Sequence, residues 1–192
     1  MSMNSARVVC TGCDYQTREM YRPIRVQYQT AEGNITETSC TKGWCYSCDG
    51  YSDIEHLNSA EFQQQHVAQE LDRDNILVQL EQLSGSLFMR WRHRSARRQL
   101  KYELEALDKS IGVLRQLLEM LASRSANARC LKCWSDKTVP LSFKSGNGLA
   151  EGFQHQCGGY LRLIHDWQGP RFNFCVTTYT LNSEGELIST EN

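Results

Sequence analysis

Three CxxC pairs punctuate this chain, at Cys10-Thr-Gly-Cys13, Cys45-Tyr-Ser-Cys48 and Cys130-Leu-Lys-Cys133. A fourth, modified pair, His155-Gln-Cys157, follows inside the stretch FQHQCGGY. The spacing has a geometric meaning. A tight turn between two thiolates lets both sulfurs approach one ion at about 2.3 Å, from adjacent corners of a tetrahedron. Two such turns complete a four-donor shell. A glycine after the second cysteine relieves the turn, because it takes positive φ without a Cβ clash. Cys40 and Cys175 bring the total to nine cysteines. An odd number, behind an N-terminus with no apolar signal segment, argues against a disulfide framework.

The segment between the first two pairs reads as a hairpin. In RPIRVQYQT the residues Ile24, Val26 and Tyr28 alternate, AEGN makes a turn, and ITETS returns. This order of turn, hairpin and turn resembles a zinc ribbon, and the resemblance implies one zinc ion held by Cys10, Cys13, Cys45 and Cys48. A thioredoxin-type redox pair at Cys10 and Cys13 is the alternative. It requires a helix opening directly after a strand, whereas CTGCDYQTREMYRP leads into the hairpin.

Cys130 and Cys133 need two more donors. A CxxC ending at Cys157 would begin at Gln154, and His155 stands one place further on. Imidazole is longer than a thiol and ligates at about 2.0 Å, so His155 is the favoured fourth ligand. His165 and Cys175 remain alternatives at longer reach. Gly158 and Gly159 then release the chain into a strand, YLRLIHDW, with a further strand in RFNFCVTTYTL and a turn at Asn182–Gly185. This half reads as a second ribbon with a longer β-meander.

Between these modules, residues 58–123 hold no proline and are rich in Gln, Glu, Leu, Arg and Ala. The segment reads as helix, with Asn58 or Ser59 as N-cap and Glu61 close behind. Ser84-Gly85-Ser86 is the expected interruption. In the second helix Leu100, Leu107, Leu114 and Leu121 recur every seventh position, with Leu104, Ile111 and Leu118 between them. Immediately before stands RWRHRSARR, carrying Arg90, Trp91, Arg92, Arg94, Arg97 and Arg98. Over residues 90–121 the pattern resembles a basic leucine zipper, which implies a parallel dimer reading DNA. The sequence departs from that family at Gln82, at the apolar Leu87, Phe88 and Met89, and in Glu103 facing Asp108 of a partner helix. Val113, Leu117 and Met120 widen the apolar stripe, as in a bundle. Folding back at Gly85 as an antiparallel hairpin would set Glu81 near Arg90, Asp74 near Arg97, Asp72 near Arg98 and Glu70 near Lys101. That hairpin is the preferred reading.

Composition limits the function classes. The net charge of −1 argues against wholesale polyanion binding. No apolar run reaches the length of a membrane span. Walker and GxGxxG loops are missing, and no carboxylate stands in a metalloenzyme motif beside the cysteines, Glu151 and Asp166 being the nearest acids. The expectation is therefore an α+β chain, with two small zinc-ribbon-like β modules (1–57 and 125–192) joined by a long antiparallel helical hairpin (58–124). It would be a cytoplasmic, non-enzymatic adaptor binding two zinc ions and docking a protein partner. The alternative is a nucleic-acid binder using the Arg90–Arg98 face and exposed aromatics such as Trp44, Trp134 and Trp167. Homo-oligomerisation would use the Leu100–Leu121 seam.

Overall fold

The computed structural model describes residues 5–20, 23–30, 33–85, 91–166 and 176–191. Six strands come first: β1 (Ser5–Cys10), β2 (Gln16–Met20), β3 (Ile24–Gln29), β4 (Ile35–Thr38), β5 (Cys40–Cys45) and β6 (Gly50–Glu55). Among the described residues the helices α1 (Ser59–Gln82) and α2 (Arg94–Ser123) follow, and then β7 (Thr138–Pro140), β8 (Leu161–Asp166), β9 (Thr177–Asn182) and β10 (Leu187–Glu191). The fold is mixed α+β, and its contacts divide it into two compact units. Met1–His56 and Ser125–Asn192 form one, and Leu57–Arg124 the other.

The β unit departs from the expectation of two separate modules. All three of its sheets, ordered β2-β1-β8, β10-β9-β3-β4 and β6-β5-β7, contain strands from both ends of the chain. The expected β3–β4 hairpin is present, with Val26 and Tyr28 buried on one face of β3. β3 then takes β9 as a parallel neighbour, Tyr28 pairing with Leu181. β8 does not continue into a meander with β9. It lies antiparallel to β1, Cys10 opposite Leu161. The reason is burial. Along β1, Ala6, Val8 and Cys10 alternate inward, and small separate sheets would leave such faces half-covered. Pooled, Val8 and Cys10 share one cluster with Trp44, Leu141, Phe153 and Leu161. Glu55 fastens the two chain ends a second time. Its buried carboxylate accepts from the Tyr28 hydroxyl at 2.7 Å and from the Arg129 backbone N–H at 2.7 Å.

The helical unit is an antiparallel hairpin. Asn58 caps α1, its side-chain oxygen accepting from the Glu61 N–H at 3.3 Å. The heptad stripe of α2 is covered within the chain: Ile111, Leu114, Leu117 and Met120 are buried, and Leu100, Leu104, Leu107 and Leu121 half-buried. The register differs from the expected one. Arg73 donates to Asp108 at 2.7 Å, so Asp108 stands where symmetry about Gly85 would put Arg97. α1 ends at Gln82 and α2 begins at Arg94, so the hairpin is not centred on Gly85. The expected pairs Asp74–Arg97, Asp72–Arg98 and Glu70–Lys101 do not form, and Arg90 lies outside the described residues. On α1 the positions withdrawn from solvent include His66, Gln69 and Arg73 beside Phe62, Ile76 and Leu80, which is why its inner stripe does not read as apolar.

Candidate metal centres

The three CxxC turns and the HQC turn meet two by two, in exchanged partnership. Cys10 and Cys13 converge with His155 and Cys157, while Cys45 and Cys48 converge with Cys130 and Cys133. Within each group the donor atoms all lie within 4.8 Å of one another. The pairings expected from sequence order, the first pair with the second and the third with His155 and Cys157, are not the ones adopted. Strand pairing sets the outcome. β8 beside β1 carries the HQC turn to the CTGC turn, and a bridge between Ile54 and Cys130 carries the third CxxC turn to the second.

In the first group Cys10 Sγ lies 3.3 Å from Cys157 Sγ, and His155 Nδ1 lies 3.6 Å from Cys13 Sγ and 3.3 Å from Cys157 Sγ. A tetrahedron with metal–sulfur bonds of about 2.3 Å has edges of about 3.8 Å, slightly shorter where nitrogen replaces sulfur. The observed separations fall a little inside that figure, so the donors are gathered at ligating distance. The imidazole is held in place by rings. Its centroid lies 5.2 Å from Tyr15 and 5.1 Å from Trp44. The turn behind it closes by a hydrogen bond from Gly158 N–H to the His155 carbonyl at 2.8 Å, with Gly158 at φ 84°. FQHQCGGY is thus a turn shaped to present two donors.

The second glycine of that stretch has a different task. A Cβ on Gly159 would lie 2.5 Å from Gly12 N and 2.8 Å from Cys10 Sγ. The CTGC and HQCGG turns therefore touch backbone to backbone, and only glycine permits this. The N–H groups of Gly12 and Gly159 each point at a sulfur, Cys10 and Cys157 respectively, at 3.4 Å.

The second group is more enclosed. Cys45 and Cys130 are buried, Cys48 is half-buried and Cys133 is exposed. Cys45 Sγ lies 3.5 Å from Cys133 Sγ, and Cys48 Sγ lies 3.9 Å from Cys130 Sγ. The residue after the second cysteine is left-handed in both turns but is not glycine: Asp49 has φ 48° and Trp134 φ 62°. Trp134 packs edge-on against Tyr179 at 5.5 Å. The two groups are neighbours. Trp44, which touches the His155 ring, immediately precedes Cys45, and the Gln156 amide donates to the Asp49 carboxylate.

Thiol acidity is distributed unevenly. His155, helped by the Gly159 N–H, lowers Cys157 to about 6. At Cys13 the Tyr15 backbone pulls downward, but burial and the adjacent Cys157 and Cys10 raise the thiol to about 11. In the second group burial raises Cys45 and Cys48, with Cys133 and Cys130 adding to it. Cys130 goes the other way. Burial opposes its ionisation, yet the Ser52 hydroxyl and the backbone at Lys132 and Cys133 outweigh it. Such a set ionises completely only around a cation, which offsets the repulsion among thiolates.

Other expected positions fall elsewhere. His165 is exposed on β8, opposite Ala6, and belongs to neither group. Cys175 and Trp167 lie outside the described residues. Cys40 stands apart, 3.6 Å from Asp53 Oδ1, its thiol raised to about 12 by burial and that carboxylate. Glu151 accepts from Ser142 at 3.2 Å. Trp44 was expected at the surface and is fully buried, while Trp134 is half-buried. Tyr15, Ser52 and the Gly12–Gly159 contact carried no recognisable spacing; only the doubled glycine hinted at the last. No protein-family model, curated protein or solved structure matches this chain.

Proposed function

We propose that this chain is a non-enzymatic, zinc-stabilised adaptor that docks a protein partner in the cytoplasm. One observation carries the metal reading: two sets of four soft donors, each gathered to the edge lengths of a ligand tetrahedron. Cys10, Cys13, His155 and Cys157 would hold one ion and Cys45, Cys48, Cys130 and Cys133 the other. Four protein donors per ion favour a structural role, since hydrolytic zinc keeps a position for water. Two turns clamping one ion is also the zinc-ribbon arrangement, here built between chain ends rather than along the chain. Zinc would supply part of the folding free energy of sheets this small.

Support for protein docking comes from α1, where Val67, Leu71 and Val78 are exposed at helical spacing. Native mass spectrometry tests the metal reading, with two zinc ions per chain expected and none refuting it. Crosslinking of the metal-loaded chain in host extract tests the adaptor reading. A Val67→Asp/Leu71→Asp chain that captured the same partner equally well would remove α1 as the docking face.

A further inference from the structure

We propose that the outer face of α2 near its start, together with Trp91 just ahead of it, binds single-stranded nucleic acid. The surface belongs to the helical unit and does not rest on the metal reading. Arg94, Arg98, Lys101 and Tyr102 recur at spacings of three and four and share one face, opposite the half-buried Arg97, Leu100 and Leu104. From Trp91 to Tyr102 the sequence WRHRSARRQLKY holds five Arg or Lys residues and no acid.

The hairpin register leaves these cations available. Symmetry about Gly85 would have neutralised them with Glu70, Asp72 and Asp74. Instead this part of α1 meets α2 around Asp108, and Arg73 takes that carboxylate. Among the described residues Arg92, Arg94 and Lys101 make no ion pair, and Arg98 bonds only the Tyr102 hydroxyl, at 3.1 and 3.3 Å. The nearby acids are few. Glu81 lies in the last turn of α1, Glu103 accepts from Gln99 at 2.9 Å, and the exposed Glu105 stands one turn beyond Lys101 at the far edge of the same face.

Two aromatic rings stand among the cations. Trp91 is 76% exposed and Tyr102 54%, and the Arg98 guanidinium lies 5.6 Å from the Tyr102 ring centre. Cations alone would suit any polyanion. Exposed rings beside them suit unpaired bases, which stack on aromatic faces while arginines hold the phosphates. A duplex keeps its bases stacked and offers those rings nothing. A lipid surface fits less well, because Trp91 stands beside Arg94, Ser95, Arg98, Lys101 and Tyr102 with no aliphatic stripe to insert alongside it.

Binding of a labelled oligouridylate to the full, metal-loaded chain, followed by fluorescence anisotropy, tests this. With Arg92, Arg94, Arg98 and Lys101 each meeting one phosphate, log K should fall with log salt at a slope of about −3, or roughly fifty-fold between about 50 and 200 mM. Arg94→Glu/Arg98→Glu should abolish binding, and Arg94→Gln/Arg98→Gln should flatten the slope by about one to two. Trp91→Ala should weaken binding roughly five- to hundred-fold and leave the slope unchanged. Circular dichroism confirms that the variants keep their helices. Salt-independent binding, indifference to the Arg94/Arg98 changes, or equal binding of polyglutamate, a duplex or phosphatidylglycerol vesicles would each overturn the proposal.

Discussion

Removing ligands two at a time distinguishes the exchanged partnership from a sequential one by counting ions. Cys13 and Cys157 belong to one group, and Cys13 and Cys48 to different groups. A Cys13→Ala/Cys157→Ala chain should therefore retain one zinc, held by Cys45, Cys48, Cys130 and Cys133. A Cys13→Ala/Cys48→Ala chain should retain none at low micromolar zinc, because each site is then left with three donors. Ligands grouped in chain order would give the reverse, none for the first variant and one for the second. A structural zinc in a small domain contributes about 10–16 kcal/mol of apparent binding free energy at neutral pH, and losing one thiolate of four removes a substantial share of it. The surviving site should also stay near full strength, since the donor groups are separate sets with edges of 3.3–3.9 Å. Native mass spectrometry with a graded chelator reads both the count and the strength. Equal ion counts in the two double variants would refute the assignment.

Four other predictions follow from particular contacts. Gly159→Ala forces a Cβ to within 2.5 Å of Gly12 N, so it should weaken the Cys10–Cys157 site at least tenfold in a chelator competition and spare the other. Because Cys45 and Cys48 are raised, zinc must displace their protons at neutral pH. Affinity of that site should fall as pH drops, by at least about two decades per unit in a competitive titration. Glu55→Ala removes the acceptor shared by Tyr28 and the Arg129 N–H and should cost about 3 kcal/mol in urea unfolding. Arg73→Asp and Asp108→Arg should each lower stability by less than about 1 kcal/mol, the pair being half-exposed, and the double exchange should restore it.

What the sequence conveyed was local. Each CxxC or HxC turn, the β3–β4 hairpin, the Asn58 cap, and the turn from Asn182 to Gly185 are written in residues a few positions apart. Partner choice is not. Four two-donor turns pair in three ways, and spacing alone is indifferent among them. The decision belongs to β1–β8 and β5–β7 pairing, through apolar faces that look alike wherever they land. The hairpin register was hidden for a related reason. Leucine periodicity marks α2, but the inner stripe of α1 runs through His66, Gln69 and Arg73, so no matching apolar repeat on α1 announces the alignment that the Arg73–Asp108 contact marks. Burial of Trp44 was equally unreadable, since its neighbours Leu141, Phe153 and Leu161 are supplied by the far end of the chain.

The distance along the chain between donors has a consequence for synthesis. Cys10 waits for a partner 147 positions away, and Cys45 for one 88 positions away. A growing polypeptide therefore leaves the ribosome with Cys10, Cys13, Cys45 and Cys48 unmatched, while the intervening helices, whose contacts are near in sequence, can already associate. The second clamp cannot shut until Cys133 has been added, nor the first until Cys157 has followed.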